Sequence, residues 1–372
     1  MGTERLTRDE VRCWSHVGGL AAVACALGYL ETFLPIPIPG VKLGLANIAV
    51  LVALAQGDAV GAAWVALVKM AVTGLLFGSP VTLIYSLAGT LLSLAVMVPL
   101  SRLRTMRLWM TSVVGALAHE AGQLLVAQAM LGTPLVWWST PLLAIAGCLT
   151  GLLCGLVAER TVNLLAHDDT SGQGNGLAES LPSRLHETGG RALVDGRWVL
   201  ALLLAFWMVV LSTKSLTVVG AGAAASALVC MAIQVRPGAF LRALGPTLPL
   251  CGITFVAQWL SLPSFGEAAI AAAFSSLRLV AIVLSSLAFT HTQTTASLLG
   301  LAHQVVASLK VVGIPLAGPS RAFGVTVRLL PLLSTIVAKE MDSLGSTPSV
   351  RGMVEALPHA IVRTIRAAEA VA

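Results

Sequence analysis

The sequence predicts an all-α, polytopic membrane protein, and three observations carry that prediction. Of its 372 residues 56% are hydrophobic and only 11% charged, with a mean hydropathy of +0.88, whereas soluble domains carry about 25% charged residues. Apolar runs near the ~20 residues needed to cross a bilayer recur along nearly the whole chain. These runs are continuous and rich in Leu, Ala, Val and Gly, while a transmembrane β-barrel needs short segments of alternating polarity.

Taken in order, six spans are expected in the first half, at 17–35, 42–56, 58–78, 81–101, 108–131 and 134–159. The leading MGTERLTRDEVR is polar and mixed in charge, and no small-residue cleavage site follows the first apolar run. The first span is therefore expected to stay. Between the first two spans runs ETFLPIPIPGVKLGLAN, from Glu31 to Asn47. Its Pro-x-Pro-x-Pro-Gly core cannot be helix interior, since each ring removes a backbone donor and fixes φ. The chain must turn there, which sets Glu31 and Lys42 at a water boundary. The second span is short enough to be tilted or partly re-entrant.

Arginines test the count. Arg5, Arg8 and Arg12 precede the first span, Arg102, Arg104 and Arg107 follow the fourth, and Arg160 follows the sixth. With six spans every group falls on one side, which the positive-inside rule makes the cytoplasm. The net charge of +6 is thereby accounted for, and no basic patch remains to suggest a nucleic-acid partner.

Near residue 166 the composition changes to a polar Gly/Ser-containing stretch, HDDTSGQGNGLAESLPSRLHETGG, without apolar period. Three regions result: a membrane domain over 1–165, a linker over 166–195 and a second membrane domain over 196–372. In the second, spans are expected at 197–213, 215–233, 246–262 and 268–290, with further apolar segments at 296–317 and 322–338. From Lys339 the chain turns polar with helical period, which suits amphipathic helices on the inner membrane face. Both termini are expected in the cytoplasm and the protein in the cell membrane.

Glycines at 147, 151 and 155, at 57 and 61, and at 74 and 78 repeat every fourth position, a spacing that lets helix backbones approach closely in lipid. The six cysteines show no CxxC or Cys/His metal spacing and read as small apolar residues.

Polar groups inside spans are expensive, so they face a cavity or one another. They are few: Asn47, Lys69, His119, Glu120 and Gln123, with Glu31 and Lys42 at the boundary. His119 and Gln123, four apart, share a helix face, and Glu120 stands about 100° round. Two arrangements fit. Either these side chains line an outward-facing solute pocket, in which Lys69 and His119 meet an anionic or carbonyl group, or Lys69 pairs with Glu120 and His119 satisfies a backbone carbonyl. Tyr85, Trp137 and Trp138 read as interfacial anchors. Arg278 and Arg328, in otherwise apolar segments, end a span, pair in the bundle or snorkel. Arg351, in Ser349-Val350-Arg351-Gly352, is placed to dock a partner protein.

No catalytic signature is present: no phosphate-binding loop, GxSxG, HExxH or GxGxxG occurs. No cofactor is implied and the chain does not hydrolyse ATP itself. Asp168-Asp169 lacks a second acidic cluster to hold Mg²⁺.

Two resemblances follow from local motifs. Residues 17–160 resemble the family labelled heptaprenyl diphosphate synthase component I, also called the Gx transporter family. The motifs are Glu31 with PIPIPGVKLGLAN, GLLFG at 74–78, YSLAGTLLS at 85–93 and GALAHEAGQLLVA at 115–127. Lys69 stands where that family suggests arginine, and Glu120 where asparagine follows the histidine. This resemblance implies a six-helix bundle like the substrate-binding S component of energy-coupling-factor (ECF) importers. Residues 197–372 are similar to their transmembrane T component, of the EcfT/CbiQ type, in SSLRLVAIVLSSLAFTHTQTTASLLGLAHQVV and VRLLPLLSTIVAKEM. That likeness implies cytoplasmic coupling helices and separate ABC ATPase partners, with Arg351 and Gly352 matching the first docking motif and the chain reaching IRAAEAVA near the place of the second. Together they imply an importer subunit for a vitamin-like solute or precursor. The alternative is a membrane component of a heptaprenyl diphosphate synthase system. A nickel or cobalt cargo is disfavoured because His119 lacks a second histidine at helix spacing.

Overall fold

A computed structural model describes residues 7–31, 43–76, 80–103, 105–131, 134–168, 196–245, 247–294, 318–327 and 350–371, with the single positions 297, 300, 329 and 333. Among these residues all regular structure is helical. In chain order stand α1 (Arg8–Glu31), α2 (Asn47–Ala55), α3 (Ala59–Leu76), α4 (Pro80–Ser101), α5 (Leu108–Leu131), a 3-10 turn (Pro134–Ser139), α6 (Thr140–Asp168), α7 (Gly196–Ser212), α8 (Leu216–Ala232), α9 (Pro237–Leu244), α10 (Thr247–Ser261) and α11 (Phe265–Thr292). After a helical segment over 318–327 comes α12 (Val350–Val371).

Helices Arg8–Tyr29, Pro80–Ser101 and Phe265–Thr292, and the helical stretch Pro134–His167, are long and apolar enough to cross a membrane. α5 matches them in length, with 24 residues, but its His119, Glu120 and Gln123 dilute the apolar run. Leu142, Ile145, Leu149, Leu152 and Leu156 form an exposed stripe along α6. Such a stripe suits hydrocarbon rather than water. The protein is a membrane protein.

Local chemistry sets several boundaries. α2 ends at Gly57, whose φ of +82° is a left-handed conformation that glycine adopts freely. Asp58 then caps α3, its Oδ1 accepting from Gly61 N–H at 2.6 Å. Gly57 therefore shapes a turn and has no helix-packing role, since a side chain there would meet nothing within 4 Å, whereas a Cβ on Gly61, inside α3, would come within 3.0 Å of Val17 Cγ2 on α1. α11 opens on a capping Ser264, which accepts from Glu267 N–H at 3.2 Å.

Other boundaries differ from expectation. α1 starts at Arg8, nine residues before the expected 17, because a polar amphipathic turn extends an apolar helix without cost in water. α6 runs on to Asp168 for the same reason, past the expected linker start. α2 has only nine residues, about 13.5 Å at 1.5 Å each, so it crosses less than half of a ~30 Å hydrocarbon core. The proline crank at 32–42, the linker after 168, the segment over 301–317, Gly78, Arg5, Arg104 and Arg328 lie outside the described residues.

The deepest core lies where α1, α2 and α3 meet. Ala21 to Leu27 of α1 and Ile48 to Leu54 of α2 are buried all round, and Trp14 meets Trp64 edge to face at 6.2 Å. Alanines dominate α1 there, so its backbone comes close to its neighbours.

α4, α5 and α6 pack as antiparallel neighbours through glycines. A Cβ on Gly151 would come within 2.8 Å of Val113 Cα, and one on Gly155 within 2.4 Å of Trp109 Cα. The stripe at 147, 151 and 155 is the α5–α6 seam that the four-residue spacing predicts. The second half also touches the first. Thr326 Oγ1 donates to Gly18 O at 3.0 Å, Arg321 Nε donates to Ser15 Oγ at 3.1 Å, and α12 packs on α6 and α1. Its buried Leu357, Ile361, Thr364 and Ile365 recur at helical spacing opposite exposed Glu355, His359 and Arg363.

Candidate functional site

The short α2 makes the site. Starting from the Gly57 turn it rises about 13.5 Å, which carries its first residue, Asn47, to the level of Lys69 on α3. Lys69 Nζ donates to Asn47 Oδ1 at 2.6 Å. Lys69 is 8% exposed, so a cation and an amide meet in the buried interior of the helices, where neither would be left unbonded. Thr73, one turn on, donates its hydroxyl to Lys69 O at 2.8 Å.

The turn before α2 holds the next part. Gly44 has φ +75°, and its N–H donates to Glu31 Oε1 at 2.5 Å. Cys154 Sγ of α6 donates to Leu43 O at 3.1 Å, and a Cβ on Gly44 would lie 3.4 Å from Asn47 Nδ2. Glu31, Gly44, Asn47, Lys69 and Cys154 thus bring together four helices: α1, α2, α3 and α6.

A second set lies on α5. Gln123 Nε2 and His119 Nε2 are hydrogen-bonded at 3.0 Å. The ring lies against α4, where a Cβ on Gly89 would come within 2.8 Å of it. Gly122 sits equally close to Ala88 O, at 2.6 Å from its own notional Cβ. Glu120 points elsewhere: its Cγ is 3.4 Å from the notional Cβ of Gly147 on α6. Lys69 is therefore bonded to Asn47 rather than to Glu120, and the expected alternative of a Lys69–Glu120 pair is not what forms. Two dipoles and one cation suit a polar solute with carbonyl or anionic groups.

Of the other expected residues, Lys42 lies outside the described residues, and Arg351 and Gly352 open α12 with the Arg351 side chain outside them. Trp138 is exposed, as an interfacial anchor is, while Trp137 Nε1 donates to Gln128 Oε1 at 2.6 Å. Arg278 neither ends its span nor snorkels: α11 continues for fourteen more residues to Thr292, and the side chain is buried. Sequence reasoning missed Gly44, Gly89 and Cys154. The signal for Gly89 was available, because glycine inside a helix costs about 1 kcal/mol relative to alanine and persists where something approaches closely.

Comparison with known proteins gives one family match. Residues 20–161 match the model of the family described as heptaprenyl diphosphate synthase component I. The match covers α1 from Leu20 through most of α6, the region that holds both polar sets. No curated protein and no solved structure matches the chain.

Proposed function

We propose that the chain is the membrane subunit of an ECF-type importer, in which α1–α6 capture a small vitamin-like solute or precursor and the later helices couple to separate ABC ATPase subunits on the cytoplasmic side. The single observation that carries this reading is the Lys69–Asn47 bond at the start of a half-length helix. A helix that begins inside the membrane aims its positive end and a lysine at one point, the arrangement that transporters use for polar or anionic solute groups. Glu31, Lys42, His119, Glu120 and Gln123 complete the chamber in this proposal. ATP-driven movement would reorient the first domain and release the solute inside, with Arg351 and Gly352 in the docking helix.

The test is native mass spectrometry of the solubilised protein for a copurified small molecule. A bound compound lost in Lys69→Met supports the site, and wild-type protein that carries and binds none counts against it. A pull-down with ABC ATPases should succeed and weaken with Arg351→Glu.

The description of the matched family favours a second reading, a membrane component of a heptaprenyl diphosphate synthase system. Purified chain that condensed isopentenyl diphosphate without another protein would establish it over the importer.

A further inference from the structure

We propose that Arg278 and the α7–α8 turn form a site for one phosphate group, independent of the solute chamber. Arg278 stands in the middle of α11, only 5% exposed. Its Nη2 donates to Thr213 O at 2.8 Å and its guanidinium lies 4.5 Å from the Phe274 ring centroid. The buried Nε has no hydrogen-bond partner among the described residues, and neither contact supplies a negative charge. A buried cation held by one carbonyl and one ring, with Nε still unbonded among the described residues, is stabilised further when an anion joins it.

The surroundings indicate what kind of anion. Gln258 of α10, 6% exposed, donates from Nε2 to Ser275 Oγ at 3.3 Å, while its Oε1 is buried without a partner among the described residues. Ser275 precedes Arg278 by one turn on the same helix face. A buried acceptor on α10 and a buried cationic donor on α11, both without a partner among the described residues and linked through Ser275, match a phosphate that bears, or stands beside, a hydroxyl.

Position agrees. Ser275 Oγ also donates to Leu131 O, at the last residue of α5, at 3.1 Å, and Thr213 closes α7. The site therefore lies beside the ends of α5 and α7, where the chain leaves two helices next to the middle of α11. Lys214, exposed beside Thr213, adds a second cation on the outer edge, so an anion at the turn meets one positive charge from within and one from outside.

Full-length protein in detergent would be titrated with phosphatidylglycerol, with phosphatidylcholine, and separately with inorganic phosphate, and followed by native mass spectrometry and phosphorus NMR. Phosphatidylglycerol should bind in preference to phosphatidylcholine, and Arg278→Met should weaken it about tenfold, the loss of one charge-assisted hydrogen bond. Lys214→Ala should weaken it about twofold, as a solvent-screened charge does. Binding of phosphatidylglycerol alone identifies a lipid site, and binding of inorganic phosphate that depends on Arg278 identifies a soluble ligand. Should Arg278→Met not fold, Arg278→Lys keeps the charge and loses the planar fork, and should bind at an intermediate level. The proposal is overturned if wild-type protein binds neither probe, or if binding is the same in the Arg278 variants and in Lys214→Ala.

Discussion

Lys69 and Asn47, 22 residues apart, meet at 2.6 Å between α2 and α3. One partner is a buried cation, so removing the other leaves that charge without its amide. Asn47→Leu should therefore destabilise the protein by about 1.5–3 kcal/mol, the worth of one hydrogen bond to a charged group. Lys69→Met in the same background should restore part of that loss, since apolar replacement of both partners of one hydrogen bond costs less than loss of one. Thermal unfolding of the two single variants and the double variant in one detergent measures the coupling, and simple additivity would show that the bond contributes nothing.

His119 rests on Gly89. Gly89→Ala places a methyl group within 2.8 Å of the ring, and overpacking of that kind costs about 1–3 kcal/mol. The histidine NMR signal of His119 should shift while the protein stays folded. Gly89→Val should go further and unseat α5 from α4. An unmoved His119 signal in Gly89→Ala would contradict the contact.

The α5–α6 seam predicts a ranking. A Cβ at Gly147 would meet the flexible Cγ of Glu120 at 3.4 Å, whereas one at Gly155 would meet the Cα of Trp109 at 2.4 Å. Gly147→Ala should be neutral or stabilising, with helix propensity gaining up to about 1 kcal/mol. Gly155→Ala should lower the melting temperature, because a backbone cannot rotate out of the way. Equal effects at the two positions would mean that the helices do not approach as described.

Antiparallel packing also predicts sidedness. His16 bonds to Gln56 at 3.0 Å, which puts the start of α1 beside the α2–α3 turn. In a background without native cysteines, labels at Asp58 and Arg102 should react from one face of the membrane and a label at Trp138 from the other. Arg102 and Trp138 reacting from the same face would break the expected six crossings and the chamber with them.

Thr326 reaches 308 residues back to Gly18 at 3.0 Å. Thr326→Val, which keeps the shape and loses the hydroxyl, should cost about 1 kcal/mol. An equal melting temperature for Thr326→Val and wild type would place the contact outside the stability of the chain.

Helical class, membrane residence and most helix positions were legible in the sequence, since they depend on local hydropathy, helix-breaking prolines and the period of small residues. The expected spans for α3, α4, α5, α7 and α8 lie within a few residues of the helices, and the 147–151–155 glycine stripe packs as its spacing requires. Tertiary structure alone decided the rest. Which amide met Lys69 depended on how far a nine-residue helix rises from its turn, a matter of depth that no periodicity records. Whether Gly57 served packing or a turn depended on the sign of its φ. Arg278 stayed inside because α7 ended at its level and offered Thr213 O, a contact across 65 residues that local composition does not encode.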